Sequence, residues 1–301
     1  MLHVTEEVRA ALAAKQPVVA LESTLIAHGL PWPENLEVGR TVEAVVRAEG
    51  ATPATVAVVR GRLTVGVDDN TLERIARGGF IKAGQADLGP IVASGRDAAT
   101  TVSATAFAAA RAGITLFATG GIGGVHRGDA ADVSSDLTTL SREPIVVVSA
   151  GAKAILDLPR TLEALETLGV LVLGYDTADL PAFYTRTSGL PLEHRVNTIE
   201  EAARVIQTRF NLGDRRGVLL ANPIPEQDAL NPEFIEQAIT AALEQAARAG
   251  VRGKALTPYL LSAIARETGS LSLAANRALV LHNARLAARL AAALRLHEMT
   301  A

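Results

Sequence analysis

Three kinds of reactive or ligand-binding group lie close together in the middle of this sequence. Residues 120–124 include four glycines, which let backbone N–H groups approach an anion closely. Asp129, Asp132 and Asp136 follow, and carboxylate oxygens suit Mg²⁺ or Mn²⁺ better than Zn²⁺. Lys153 lies just beyond an apolar run, where its amine could act as a nucleophile. An anion cradle, carboxylates and an amine together predict chemistry on a phosphorylated sugar.

Each of these groups also has a purely structural explanation. Aspartate is common in glycine-rich turns, and Ser134 and Ser135 could form a helix N-cap. Lys153 could be a solvated lysine in an ordinary strand-to-helix connection. The glycine loop has neither the Gly-x-Gly-x-x-Gly pattern nor a P-loop ending, so it is a weak motif for dinucleotides or triphosphates. The spacing does not separate Asp129 from Asp132 as a metal ligand.

Two further charged residues follow apolar runs. Glu22 comes directly after Val18–Leu21, and open α/β sheets build their sites at the carboxyl ends of strands. A partly desolvated carboxylate there would suit proton transfer, although a helix-capping or salt-bridging role fits the position equally well. Lys82 follows an apolar pair and could bind phosphate, or it could be a solvated surface lysine. The sequence has only four lysines, and Lys82 and Lys153 both lie near a predicted strand end and two residues from a glycine, which weakens the surface explanation for these two.

A third candidate segment, residues 94–103, resembles a turn that leads into a helix. Free N–H groups and hydroxyls at a helix start form an anion site, and Thr100, Thr101 and Ser103 supply hydroxyls here. The same side chains could instead merely cap or pack the helix.

The composition limits the classes of function. Apolar residues make up 49% of the 301 residues but aromatic residues only 3%, so the core must consist of Ala, Val, Leu and Ile. The net charge of −3 and the absence of a Lys/Arg run argue against nucleic-acid binding. The lack of cysteine excludes disulfides and thiolate sites. The N-terminus lacks a signal core, and no apolar run approaches the ~20 residues of a membrane span. We therefore expect a soluble, cytoplasmic protein that binds neither nucleic acid nor membranes.

Short β-branched runs alternate with longer helical patterns. Runs that are apolar throughout predict buried strands at residues 17–21, 55–59, 114–118, 145–149, 170–173 and 218–221. Helical patterns lie between them at 33–49, 70–77, 98–112, 158–168 and 199–210, and the last third predicts helices at 232–248, 255–268 and 271–298. We predict one domain over residues 1–301, an α/β/α layered sandwich around a central, largely parallel sheet with extra C-terminal helices.

Several segments together resemble the pseudouridine-5′-phosphate glycosidase family. They are Ala20-Leu-Glu-Ser-Thr-Leu-Ile-Ala-His-Gly-Leu-Pro31, Lys82-Ala-Gly, Thr119-Gly-Gly-Ile-Gly-Gly-Val-His-Arg127, Asp132-Val-Ser-Ser-Asp-Leu137, Val148-Ser-Ala-Gly-Ala-Lys153, Leu219-Leu-Ala-Asn-Pro-Ile-Pro225 and Gly253-Lys-Ala-Leu-Thr-Pro-Tyr-Leu-Leu261. The similarity extends from about residue 5 to residue 295, and several long motifs in the same order make it specific.

This resemblance implies an enzyme that reversibly splits pseudouridine 5′-phosphate into uracil and ribose 5-phosphate. It also implies an α/β/α fold, a homotrimer and a divalent cation, commonly Mn²⁺. The implied roles are a nucleophile at Lys153, a proton donor at Glu22, a metal ligand at Asp132, and substrate contacts at Lys82, the backbone of Val102, Ser134, Ser135, Asp136 and Asn276.

The implied substrate explains why an amine is needed. A carbon–carbon bond joins ribose C1′ to uracil C5, so the two-carboxylate scheme of ordinary glycosidases is insufficient. An iminium between Lys153 and C1′ of the opened ribose, with protonation of C5 by Glu22, is a route that fits. The alternatives are a Schiff-base aldolase or lyase on another phosphosugar, a relative of the indigoidine-cluster proteins with the same fold, and a non-catalytic sugar-phosphate binding module.

Overall fold

A sheet of eleven strands organises the part of the chain that the computed structural model describes, residues 2–128 and 131–300. The strands are β1 (Leu2–Val4), β2 (Val18–Leu21), β3 (Thr52–Val59), β4 (Arg62–Val65), β5 (Ile81–Ala83), β6 (Ala98–Thr100), β7 (Leu116–Ala118), β8 (Val146–Ser149), β9 (Leu171–Tyr175), β10 (Arg195–Val196) and β11 (Val218–Ala221).

Helices connect most of these strands and complete the C-terminal third. They are α1 (Glu6–Ala13), α2 (Glu34–Ala48), α3 (Asp69–Arg77), α4 (Leu88–Ala93), α5 (Val102–Ala112), α6 (Ser135–Leu140), α7 (Leu158–Thr167), α8 (Ile199–Asn211), α9 (Pro232–Arg248), α10 (Leu256–Glu267) and α11 (Leu271–Thr300). A short π-helical turn, Leu25–Gly29, follows β2.

The main body of the sheet is parallel. Its strand order is β2-β7-β8-β11-β9-β10, and each strand runs parallel to its neighbours. β3 pairs in parallel with β2 through its first half and antiparallel with β4 and β6 through its second half. The mixed pairing is therefore confined to one end, and the predicted α/β fold with a largely parallel sheet is confirmed.

Burial of the central strands explains their unbroken apolar sequences. Every residue of β2, β7, β8 and β11 is buried, as expected for strands that are covered on both faces. The long helix α11 packs along β2, β7 and β8, while α5 contacts β2, β3 and β4. Leu286, Leu290 and Leu294 of α11 are all buried, so the predicted four-residue apolar repeat marks the face of this helix that enters the core.

Local structure differs from the prediction in the segment 98–112. Ala98–Thr100 forms β6, and the helix begins only at Val102. Alanine has a high helix propensity, but pairing with β3 and β5 overrides that preference. Lys82, predicted at a strand end, lies in the middle of the short strand β5. The short elements β1, β4, β10, α1, α4 and α6 were not predicted, because few residues carry too little periodicity.

None of the described helices is long and apolar enough to cross a membrane. The single-domain organisation stays a prediction.

Candidate active site

A cavity of about 440 Å³ lies at the carboxyl ends of the central strands. Glu22 follows β2, Thr119 and the glycine loop follow β7, and Lys153 comes shortly after β8. These three strands are neighbours and run parallel, so their carboxyl ends meet at one edge of the sheet. The volume falls within the range of small-molecule sites.

Of the hydroxyl residues considered in segment 94–103, Thr101 lines this cavity, whereas Thr100 and Ser103 do not. The site residues that the resemblance implies all line it. They are Glu22, Lys82, Val102, Asp132, Ser134, Ser135, Asp136, Lys153 and Asn276. Asp129, the other aspartate considered for a metal, lies outside the described residues. The structure thus brings the candidates together, whereas their roles stay proposals.

The amine of Lys153 is anchored to the glycine loop. Its Nζ donates a 2.8 Å hydrogen bond to the Gly121 carbonyl oxygen, and its backbone N–H donates to the Ile122 carbonyl oxygen at 3.0 Å. Gly151, just upstream, has φ +82°, and a Cβ there would lie 2.3 Å from the Pro181 carbonyl oxygen. Position 151 therefore has to be glycine for the backbone to follow this path towards Lys153.

Close packing explains the glycines of the loop. A Cβ at Gly123 would lie 2.3 Å from the Ser134 Oγ, and a Cβ at Gly124 would lie 2.4 Å from the Thr161 Oγ1. The sequence predicted that N–H groups of this loop meet an anion. The Gly123 N–H donates to a carboxylate oxygen of the protein itself, Asp136 Oδ2, at 2.8 Å, and binding of a phosphate by this loop stays a prediction.

Asp136 joins the glycine loop to the start of α5. It is only 4% exposed, and its second oxygen accepts a 2.8 Å hydrogen bond from the Ser103 N–H. Ser134 is the N-cap of α6, where its Oγ accepts from the Asp136 N–H. The helix-cap explanation of Ser134 is therefore correct, and the same residue also lines the cavity.

Threonine hydroxyls hold the carboxylate of Glu22. The Thr119 hydroxyl contacts Oε1, and the Thr24 hydroxyl contacts Oε2. Glu22 itself is half-buried, so its side chain is oriented but can still reach the cavity. Among the described residues its hydrogen-bond partners are hydroxyls rather than basic side chains, which disfavours the salt-bridging explanation.

Positive charge and helix N–H groups face another part of the cavity. Lys82 of β5 is half-buried, and Val102 opens α5, whose first N–H groups lack partners within the helix. The Ser135 Oγ lies 3.1 Å from the Ser103 Oγ. Together these groups offer donors and one cation to an anionic ligand.

Burial and nearby lysines lower the pKa values of the two cavity histidines, His28 and His126. Burial lowers the pKa of His28, and the charge of Lys82 lowers it further, whereas a hydrogen bond with the Phe80 backbone raises it. Burial also lowers the pKa of His126, opposed by the carboxylate of Asp132. Two buried acceptors in the lining, His28 Nε2 and Asn276 Oδ1, have no hydrogen-bond partner among the described residues. Such orphan acceptors fit a site that binds a ligand carrying donors.

The carboxylate of Asp132 is half-buried beside His126. The described residues contain no group of three or more His, Asp or Glu side chains arranged to hold a metal ion. Asp132 offers one hard carboxylate to the cavity, which suits a cation of the Mg²⁺ or Mn²⁺ class that fills its remaining positions with water and ligand oxygens.

Sequence reasoning missed the asparagines that support the loop. Asn283 is fully buried, and its Nδ2 donates to the Thr119 carbonyl oxygen at 2.8 Å, while its Oδ1 accepts from Asn222 at 2.9 Å. The available signal was an amide side chain within the stretch of α11 that is rich in leucine and alanine.

Comparisons with known proteins identify the family of this chain. The sequence profile of the family described as indigoidine synthase A like protein matches residues 7–293. A pseudouridine-5′-phosphate glycosidase of Sorangium cellulosum is 54% identical over 297 residues, covering 97% of this chain and 93% of that protein. A protein of the same name from Caldanaerobacter subterraneus is 52% identical over 293 residues, covering 96% and 95%.

A solved structure gives the same result. The prealnumycin C-glycosynthase AlnA, in complex with ribulose 5-phosphate, superposes with a TM-score of 0.92 at 41% identity, covering 100% of this chain and 99% of that one. The resemblance inferred from the motifs is confirmed. The chain belongs to the indigoidine synthase A like family, together with the pseudouridine-5′-phosphate glycosidases that it matches over nearly its whole length.

Proposed function

We propose that this chain reversibly cleaves pseudouridine 5′-phosphate into uracil and ribose 5-phosphate. Relatives that carry this activity in their names share about half of their residues with it over nearly the full length. The observation that carries the proposal is one cavity lined by an amine, Lys153, and a carboxyl group, Glu22, from the ends of nearby strands.

A carbon–carbon glycosidic bond requires an amine as well as an acid. Protonating a nitrogen or oxygen cannot release a base that is attached through carbon, so two carboxylates do not suffice. Attack of the Lys153 nitrogen on C1′ breaks the bond from C1′ to the ring oxygen, the amine proton passes to that oxygen, and an open-chain amine adduct results. The nitrogen lone pair can then form a C1′=N bond when the bond to the base breaks, and water later releases ribose 5-phosphate.

Glu22 is the proton donor in this scheme. The base can leave only after C5 has received a proton, and Glu22 is the carboxyl group held at the cavity wall by Thr24 and Thr119. In the synthetic direction the same carboxylate takes the proton back. Asp136 is less suited to exchange protons, because both its oxygens accept backbone N–H hydrogen bonds. We assign it to shaping the site around the substrate.

The phosphate would bind where cationic and N–H donors converge. Lys82, the first turn of α5 at Val102, and the hydroxyls of Ser134 and Ser135 line that part of the cavity. A helix N-terminus and a lysine together form a common phosphate site. Asn276, whose Oδ1 lacks a partner among the described residues, would accept a hydrogen bond from the substrate.

A divalent cation, Mn²⁺ in our proposal, would be held by Asp132. When bound, it would supply positive charge that neutralises substrate oxygens. We expect Asp132→Asn to weaken Mn²⁺ binding in isothermal titration calorimetry at least tenfold. An unchanged affinity would remove Asp132 from the metal site. The homotrimer, which the resemblance implies, and the cytoplasmic location, which the composition favours, likewise stay predictions.

One comparison favours a second candidate, a lyase or synthase acting on another phosphosugar or acceptor. AlnA, of the same fold, is named a C-glycosynthase and was solved with ribulose 5-phosphate. Such an enzyme would use the same Lys153 but would not consume uracil. A non-catalytic sugar-phosphate binding module is the third alternative.

The deciding experiment follows the absorbance of uracil in the synthetic direction. Purified protein is incubated with uracil, ribose 5-phosphate and Mn²⁺, and we expect the uracil signal to decrease as pseudouridine 5′-phosphate appears by mass spectrometry. Replacing uracil by other carbon nucleophiles separates the second candidate. No condensation with uracil would contradict the assignment, and ribose 5-phosphate binding without any turnover would favour the binding module.

A further inference from the structure

The hydroxyl of Thr24 lies between two oxygen atoms. One is Oε2 of Glu22, and the other is the backbone carbonyl oxygen of Thr100, 3.1 Å away. A hydroxyl carries one hydrogen, so it can donate to only one of these atoms at a time. Thr24 is buried, so solvent does not readily replace the bond that is lost.

The two protonation states of Glu22 satisfy this arrangement in different ways. When Glu22 carries a proton, its O–H can donate to the Thr24 oxygen while Thr24 donates to the Thr100 carbonyl oxygen. When Glu22 is a carboxylate, the Thr24 hydroxyl can rotate and donate to Oε2. Glu22 therefore keeps a hydrogen-bond partner in both states, because threonine both donates and accepts.

The acceptor that makes this rotation possible is rigidly held. Thr100 is fully buried, and its N–H donates to the Ser23 Oγ at 2.9 Å. Its own hydroxyl donates to the Val56 carbonyl oxygen at 2.6 Å, and so does the hydroxyl of Ser23. A cluster of buried hydroxyls thus fixes the carbonyl oxygen of Thr100 beside Thr24.

The hydroxyl of Thr119 differs from that of Thr24 because, within the described part of the chain, it has a single acceptor. It donates to Oε1 of Glu22, and the backbone carbonyl oxygen of Thr119 is occupied by Asn283. Among the described residues, no second acceptor competes for the hydrogen of the Thr119 hydroxyl. Thr119 can orient Glu22, whereas Thr24 can also exchange the direction of its hydrogen bond.

We propose that Thr24 is a positioning residue that holds Glu22 in both its acid form and its carboxylate form. This inference rests on the proposed function, in which Glu22 moves a proton to and from uracil C5. In cleavage, the C5=C6 electron pair of the base takes the Glu22 proton. The pair of the breaking C1′–C5 bond then restores C5=C6, and the Lys153 lone pair forms C1′=N. Thr24 turns its hydroxyl towards the carboxylate that remains, and synthesis reverses each movement.

The test compares Thr24→Val, which removes the hydroxyl at nearly constant volume, with Thr24→Ser, which retains it. We expect Thr24→Val to lower kcat about 10- to 100-fold in both directions, since proton transfer by a positioned acid contributes about 10²- to 10⁴-fold. KM should change less than about threefold, because Thr24 does not hold the phosphate. Thr24→Ser should stay within about threefold of the wild type in kcat.

Borohydride trapping distinguishes the positioning role from a general structural defect, because a structural defect would also reduce the amount of trapped adduct. The ribose 5-phosphate adduct on Lys153 forms without a proton transfer to uracil, so Thr24→Val should trap it as well as the wild type does. Full kcat in Thr24→Val would overturn the inference. So would an equal loss of kcat in Thr24→Ser, or a trapped adduct that falls in parallel with kcat.

Two further comparisons keep the result decisive. If Thr24→Val does not fold, Thr24→Ala and Thr24→Ser form the pair, and equal kcat values in these two variants overturn the inference. If the wild type neither turns over pseudouridine 5′-phosphate nor traps an adduct, the proposed function itself fails. If the wild type does both and Thr24→Val matches it, only the role of Thr24 is lost.

Discussion

The Nζ of Lys153 donates a 2.8 Å hydrogen bond to the carbonyl oxygen of Gly121. The two residues come from adjacent strand ends, because Gly121 follows β7 and Lys153 follows β8. The carbonyl oxygen orients the amine towards the cavity that both residues line. The glycine-rich loop therefore contacts both the amine of Lys153 and, through the Gly123 N–H, the carboxylate of Asp136.

Lys153→Arg should abolish turnover while keeping the positive charge. A guanidinium is not a nucleophile at accessible pH, so we expect a loss of at least about 10³-fold in kcat/KM. Steady-state rates measure the loss, and intact mass after borohydride treatment should show no ribose 5-phosphate adduct. The matched control is Lys15→Arg, at an exposed lysine, which should behave as the wild type. A borohydride-trapped adduct in Lys153→Arg would place the nucleophile elsewhere.

Asp136→Asn should destabilise the protein as well as the site. Both carboxylate oxygens accept backbone N–H groups, and the amide of asparagine would bring a donor against one of them. We expect a loss of about 2–3 kcal/mol in the free energy of unfolding, since the group is buried and the lost bond is charge-assisted. Urea unfolding measures this loss. Ser135→Ala, at an exposed side chain, should cost less than about 1 kcal/mol, and equal costs would refute the bridging role of Asp136.

Gly123→Ala should disrupt the loop through direct contact. The added Cβ would lie 2.3 Å from the Ser134 Oγ and 2.8 Å from the Asp136 Oδ2, so both neighbours must move. We expect a stability loss of about 1–3 kcal/mol, as for overpacking in a core, and a fall in kcat/KM. Gly89→Ala is the control, because its Cβ would meet nothing within 4 Å. Thermal unfolding of both variants gives the comparison, and equal midpoints would exclude tight packing at Gly123.

Asp214 should make stability depend on acid pH. A hydrogen bond from the Arg216 side chain holds the pKa of Asp214 at about 2, below its usual value of 3.8. Because the folded-state pKa is the lower one, the stabilisation is present above about pH 4 and is lost as pH falls towards 2. Solvent screens this exposed pair, so we expect the contribution to be small. Urea unfolding between pH 2 and 6 should show a shallower acid decline for Asp214→Asn, and parallel curves would rule out this contribution.

Much of the sheet could be predicted because its strands are buried on both faces. Val18–Leu21, Val146–Ser149 and Val218–Ala221 are short runs of apolar and small residues, and the structure places them at the centre of the sheet. The segment from Ala98 to Ala112 was mistaken for one helix. Its alanine-rich sequence favours a helix, and pairing with β5 and β3 overrides that preference at Ala98–Thr100.

The sequence by itself determined the family and which residues could react. Long ordered motifs specify the family, and Glu22 and Lys153 stand where strands end. Only the tertiary structure decided how these groups are held. The hydroxyl partners of Glu22 come from Thr24 and from Thr119, a residue 97 positions away. Hydrogen-bond partners that are distant in the chain leave no local pattern, because their contact arises only when the parallel strands bring their carboxyl ends together.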